Sequence, residues 1–143
     1  MKYLITLVLF LSMNLSAKGD ELYYKAYDQK GFKMTIEEIE RGSNFSILEV
    51  DIIDTDAQGA FSIIAAATSI GTELEKSHFT VIKEYKKGKL YYYKMFFTSD
   101  ISKDPSLVFP NEMSEERLNT HKEIGYLSIE DFKAPPAGEK LNE

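Results

Sequence analysis

Cysteine is missing from this chain altogether. That absence removes disulfide staples, thiolate metal sites of the zinc-finger kind, and lipid attachment at an N-terminal cysteine. Histidine is scarce too, with only His78 and His121. General acid–base chemistry draws most often on histidine, and two so far apart in sequence form no motif. There is no G-x-S-x-G nucleophile elbow, no H-E-x-x-H zinc helix and no phosphate-cradling glycine loop. Positive charge is in deficit: 17 Lys and Arg stand against 23 Asp and Glu, a net of −6. A field of that sign argues against nucleic acid as a partner and suits a basic protein. A paired-carboxylate glycosidase stays open, because its two acids need not be close in sequence.

A long hydrophobic run is also lacking. Residues 4–15 are apolar except for Thr6, Ser12 and Asn14, whereas a membrane-crossing helix needs about 20 such residues. Lys2 precedes the run, Ser16 and Ala17 follow it, and Lys18-Gly19-Asp20-Glu21 turns polar. That is the layout of a secretory signal peptide. A membrane anchor and a buried N-terminal element are the competing readings. Leu15, where an A-x-A cleavage site has alanine, is the residue that fits cleavage least. The expectation is therefore a leader over residues 1–17, one domain over 18–133 and a disordered tail over 134–143. The protein is expected in the periplasm or outside the cell, without a permanent membrane anchor. A domain of this size buries about two-thirds of its extended surface, and without disulfides it must hold itself together by packing.

What is present is patterned. Residues 21–27, rich in tyrosine, read as a strand, and Asp28-Gln29-Lys30-Gly31 as a turn. Phe32, Met34 and Ile36 then alternate with polar neighbours, as in a half-buried strand. Glu37, Glu38 and Glu40 read as that strand's solvent face. Residues 45–53 form a third strand, with Leu48, Val50 and Ile52 on one side. The period then changes. Thr55 with Gln58 is a capping-box pattern, and residues 56–76 read as a helix. Its residues Phe61, Ile63, Ile64, Ile70 and Leu74, among several alanines, imply deep burial.

Residues 77–85 and 90–97 make the strongest hairpin, turned at Gly88. Tyr91, Tyr93, Met95 and Phe97 share one face of its second arm; Leu90, Tyr92, Lys94 and Phe96 share the other. Residues 98–109 read as a loop, 112–123 as a polar helix capped by Asn111 and ended by Gly125, and 126–132 as a last strand. The fold class is α+β: a mostly antiparallel sheet of five to six strands, one long buried helix on one face and a short C-terminal helix. The strands either side of the long helix are free to run parallel through a right-handed crossover.

Two segments suggest sites. Asp54-Thr55-Asp56-Ala57-Gln58-Gly59 matches the front half of a calcium-binding EF-hand loop, but position 12, which must be glutamate, is Ala65. Helix capping explains these residues better, so no metal is assigned; Asp54 and Asp56 are the side chains a cation would use. No cofactor is assigned either. The second segment is the lysine-tyrosine hairpin. Tyr85, Lys87, Tyr91, Tyr92, Tyr93 and Lys94 could form a binding patch, since exposed tyrosine beside lysine suits protein interfaces and glycans. Ordinary cross-strand pairing and tip solubility account for the same residues.

No catalytic residues are assigned. The leading expectation is an exported, non-enzymatic binding or accessory protein, such as an acidic inhibitor or immunity-type partner of a basic protein. The alternatives are a small-ligand-binding module, with its ligand between helix and sheet, and a hydrolase built from scattered carboxylates or the two histidines.

Overall fold

The computed structural model describes residues 21–54 and 58–133. The expected leader, the expected tail, Thr55, Asp56 and Ala57 lie outside the described residues. Three strands open the fold: β1 (Tyr24–Gln29), β2 (Phe32–Arg41) and β3 (Phe45–Asp54). Helix α1 (Gln58–Glu73) follows, then β4 (His78–Lys87) and β5 (Leu90–Thr98). The chain ends with α2 (Pro105–Val108), α3 (Glu115–Ile124), β6 (Leu127–Ser128) and α4 (Ile129–Phe132). The six strands form one curled sheet in the order β1-β2-β3-β5-β4-β6, every neighbouring pair antiparallel. β3 and β4 do run parallel, since both are antiparallel to β5, but β5 lies between them. The α+β class is thus shown, with α1 on one face of the sheet.

Alternation built this sheet. Met34 and Ile36 of β2, Leu48 and Val50 of β3, and Met95 and Phe97 of β5 point to the α1 side and are almost fully buried. Ala66, Ala67 and Ile70 meet them from the helix; the alanines let the backbone approach closely. Positive φ falls on glycine where the hairpins need it: Gly31 at +81° and Gly88 at +63°. Gly88 opens the two-residue turn of the β4–β5 hairpin, the position at which a II′ turn calls for glycine.

Seven expectations are corrected. The first strand begins at Tyr24, not residue 21. Helix α1 is covered on one side only: Phe61 stays 67% exposed and Ile63 and Ile64 are half-buried, because no layer lies over its outer face. It also stops at Glu73, where Lys76 N–H reaches the Gly71 carbonyl and Glu75 N–H the Thr72 carbonyl, with Glu75 itself left-handed at φ 57°. This is the Schellman closure with glutamate where glycine is usual, so the stop carried no sequence flag.

The loop expected over 98–109 contains α2, started by Asp104 accepting from Ser106 N–H at 2.9 Å. The next helix is capped by Ser114, not Asn111, which instead takes a left-handed φ of 62°. The final strand shrinks to Leu127–Ser128, and Ile129, bonded through its N–H to the Ser77 carbonyl at 2.9 Å, begins the turn that buries its side chain.

Glu38 was expected in solvent and is 1% exposed. It continues the inward parity of Phe32, Met34 and Ile36. Its carboxylate accepts from Arg41 Nε at 2.8 Å, Arg41 Nη2 at 2.7 Å and the Tyr23 backbone N–H at 2.9 Å. Arg41 Nη1 reaches on to Glu73 at 2.5 Å, tying the end of α1 to the sheet. Among the described residues no helix is long and apolar enough to cross a membrane.

Candidate functional site

On the α1 side of the sheet the core does not close completely. A cleft of about 440 Å³ opens between the start of α1, the curled strands and α3. Ile63 and Ile64 of α1 form one wall, and Ile52, Val81, Tyr93 and Met95 form the floor. Gly59 and Ala60 are too small to fill its mouth. Helix α3 forms the opposite wall through Arg117, Thr120, His121 and Ile124. None of the residues of α3 is buried, so it stands beside the edge of β4 as a wall and not as a plug. The volume lies within the usual range of small-molecule sites, about 300–1,000 Å³, and the mainly apolar lining with a few polar groups is their usual chemistry.

The polar groups gather on the α3 side. Arg117 donates to Glu84 of β4. The same carboxylate lies against the Tyr93 hydroxyl, which burial first, and Glu84 second, pushes up to about 12. Thr80 Oγ1 and His121 Nδ1 are 3.1 Å apart. The His121 ring also packs edge-on against Tyr126, with centroids 4.7 Å apart. Burial holds the His121 pKa below its ordinary value, and the nearby Asp104 charge opposes that without cancelling it.

A depressed histidine pKa means that folding favours the neutral ring. Its contribution to stability is complete above the unfolded value of about 6.5 and is lost as pH falls from there through the lower folded value. Urea midpoints measured between about pH 7.5 and 5.5 should fall with pH, and His121→Gln should flatten that slope. An unchanged slope in the variant would remove His121 as its source. The depressed carboxylates Asp100 and Asp104, each held down by Ser102 or Ser106, act in a separate and more acidic window.

The structure divides the six hairpin residues. Tyr91 and Tyr93 lie on the α1 side and pack against the core. Tyr85 and Tyr92 lie on the opposite face as a parallel stack, 4.9 Å between centroids and 9° between planes. The Tyr92 hydroxyl donates to Glu49 at 2.9 Å. Lys94, on that second face, is bound to Glu112 at 2.9 Å and lies over Phe45 and Phe109. Lys87 is exposed at the hairpin end. The stack of Tyr85 and Tyr92 is what the second face offers, while Tyr93 becomes part of the cleft.

The two histidines have separate partners. His78 Nδ1 faces Ser77 Oγ at 2.7 Å, His121 faces Thr80, and among the described residues no contact joins the rings. Asp54 closes β3 opposite Lys33, and no three metal-ligating side chains gather among the described residues. The cleft residues carried no shared sequence signal: they come from α1, β3, β4, β5 and α3, and each reads locally as core or as helix surface. The chain matches no protein-family model, no curated protein and no solved structure.

Proposed function

We propose that this protein is a binding module for a small, mainly apolar molecule, held in the cleft between α1, the sheet and α3. The observation that supports this is the contrast within one face of the sheet. Around Met34, Ile36, Leu48 and Val50 the packing is complete. A few residues away, Ile63, Ile64, Val81 and Tyr93 are only partly covered and surround open space. Apolar surface left uncovered in this way costs roughly 25 cal/mol per Å² relative to burial, and a ligand recovers that stabilisation. Binding suits the polar groups, since Thr80 and His121 are paired with each other and, among the described residues, no hydrogen bond from a third side chain to the His121 ring is found. If residues 1–17 act as an export leader, the ligand is met outside the cytoplasm.

The neutral dye N-phenyl-naphthylamine tests the reading. It should bind with a blue shift and a rise in fluorescence, saturating at one dye per chain. Ile63→Trp, which fills the cleft from the α1 wall, should weaken binding by more than about tenfold while leaving the thermal midpoint within a few degrees. No fluorescence change with the wild-type protein, or full binding by Ile63→Trp, would refute the assignment.

A further inference from the structure

We propose that the cleft selects an uncharged ligand, one with an apolar body and a neutral hydrogen-bonding end such as a hydroxyl or carbonyl, because Glu84 and Arg117 neutralise each other on its polar wall. This rests on the reading of the cleft as a ligand site. Among the described residues, Glu84 and Arg117 are the acidic and basic side chains that line it. They come from different elements, β4 and α3, and meet in a direct ion pair with both side chains more than half covered. The remaining polar groups are already engaged. The Thr120 hydroxyl donates to the Glu116 carbonyl at 3.0 Å, and Thr80 is paired with His121. Behind the wall, Lys86 and Glu116 add one charge of each sign to the adjoining hollow, so the balance holds beyond the first pair.

A ligand carboxylate that takes up spare donors of Arg117 meets the like charge of Glu84 beside it, so its own charge enters an apolar cleft without net compensation. A ligand ammonium at Glu84 meets the charge of Arg117 in the same way. The pair itself is partly open to solvent, so the penalty falls on the ligand: taking its charge out of water into the apolar cleft costs far more than burying a hydroxyl. A hydroxyl or carbonyl carries no such charge. Guanidinium has five N–H donors, and a carboxylate oxygen has spare lone pairs, so a neutral group can bond to either member while the pair stays intact. Selectivity here is a penalty against the wrong ligands as much as an attraction to the right one.

The experiment is competition against N-phenyl-naphthylamine by decanol, decanoate and decylammonium, in a buffer that keeps both ions charged. Decanol should displace the dye at a concentration at least about tenfold lower than either ion requires. Glu84→Gln releases Arg117, and decanoate should then improve by about tenfold or more and overtake decanol. Arg117→Gln releases Glu84 and should improve decylammonium in the same way, not decanoate. A thermal midpoint within a few degrees of the wild-type protein in both variants shows that the fold is intact, and each ion is then ranked against decanol within the same variant. Equal competition by all three compounds against the wild-type protein would overturn the proposal, as would ion preferences that move together in the two variants. If the dye binds but this ordering fails, the charge selection is wrong and the cleft stands as a site. If the dye does not bind at all, the site itself is wrong.

Discussion

Arg41→Ala should destabilise this protein by about 3–5 kcal/mol, the cost of leaving a buried charge without its partner. Glu38 is the charge concerned. Its side chain has no exposure, and Arg41 supplies two of the three donors that satisfy it. Taking Arg41 away leaves a carboxylate on the core face of β2 with only the Tyr23 N–H. A domain of this size has a total reserve of about 5–15 kcal/mol, so the variant should lose a large part of it. Glu73→Ala provides the contrast. Its side chain is 43% exposed, and the bond to Arg41 is a surface contact, for which about 0–1 kcal/mol is expected. Urea unfolding followed by circular dichroism measures both. An Arg41→Ala loss no larger than that of Glu73→Ala would mean that water reaches the Glu38 carboxylate in the folded protein.

The second large effect centres on Gly71 and Ile129, where α1 and α4 touch. A Cβ at position 71 would lie 2.2 Å from Ile129 Cδ1 and 2.9 Å from Phe97 Cδ1. Gly71→Ala should therefore cost about 1–3 kcal/mol through overpacking, even though alanine gains about 1 kcal/mol over glycine inside a helix. Ile129→Ala should cost about 2–5 kcal/mol as a cavity. The double variant should be more stable than the sum of the two losses by at least about 1 kcal/mol, because the new methyl enters the space that Ile129 vacates. Strict additivity, within about 0.5 kcal/mol, would show that the two residues do not share one volume.

These two spots also show what the sequence could and could not disclose. Period-two alternation through Phe32, Met34 and Ile36 is a local signal, and it placed the sheet's core face correctly. The same parity put Glu38 inward, but a glutamate between Glu37 and Ile39 reads as surface unless Arg41, three residues on, is recognised as its partner. Gly71 lies inside a helix, where glycine is unfavourable. Its reason is Ile129, fifty-eight positions later, and no local rule connects them.

The hairpin was legible as a hairpin because turn and alternation are neighbours in the chain. Its tyrosines were not legible as a site, since the two faces that separate Tyr92 from Tyr93 serve different ends: one a stack near Glu49, the other a wall of the cleft. The cleft needed α3 to stand clear of α1, and a polar helix offers no sign of where it will stand.

Because β5 is the strand that lies between β3 and β4, the sheet has a seam in time as well as in space. The β1–β2–β3 meander and the β4–β5 hairpin each form from contacts close in the chain, and such local pairings form within microseconds. The ladder from Phe45↔Phe96 to Asp51↔Leu90 joins them across the whole of α1. That union is the longest ladder between strands far apart in the chain, so it is expected to be the slow and cooperative step of folding. The cleft, whose floor draws Ile52 from one unit and Val81, Tyr93 and Met95 from the other, comes into existence only once that step is complete.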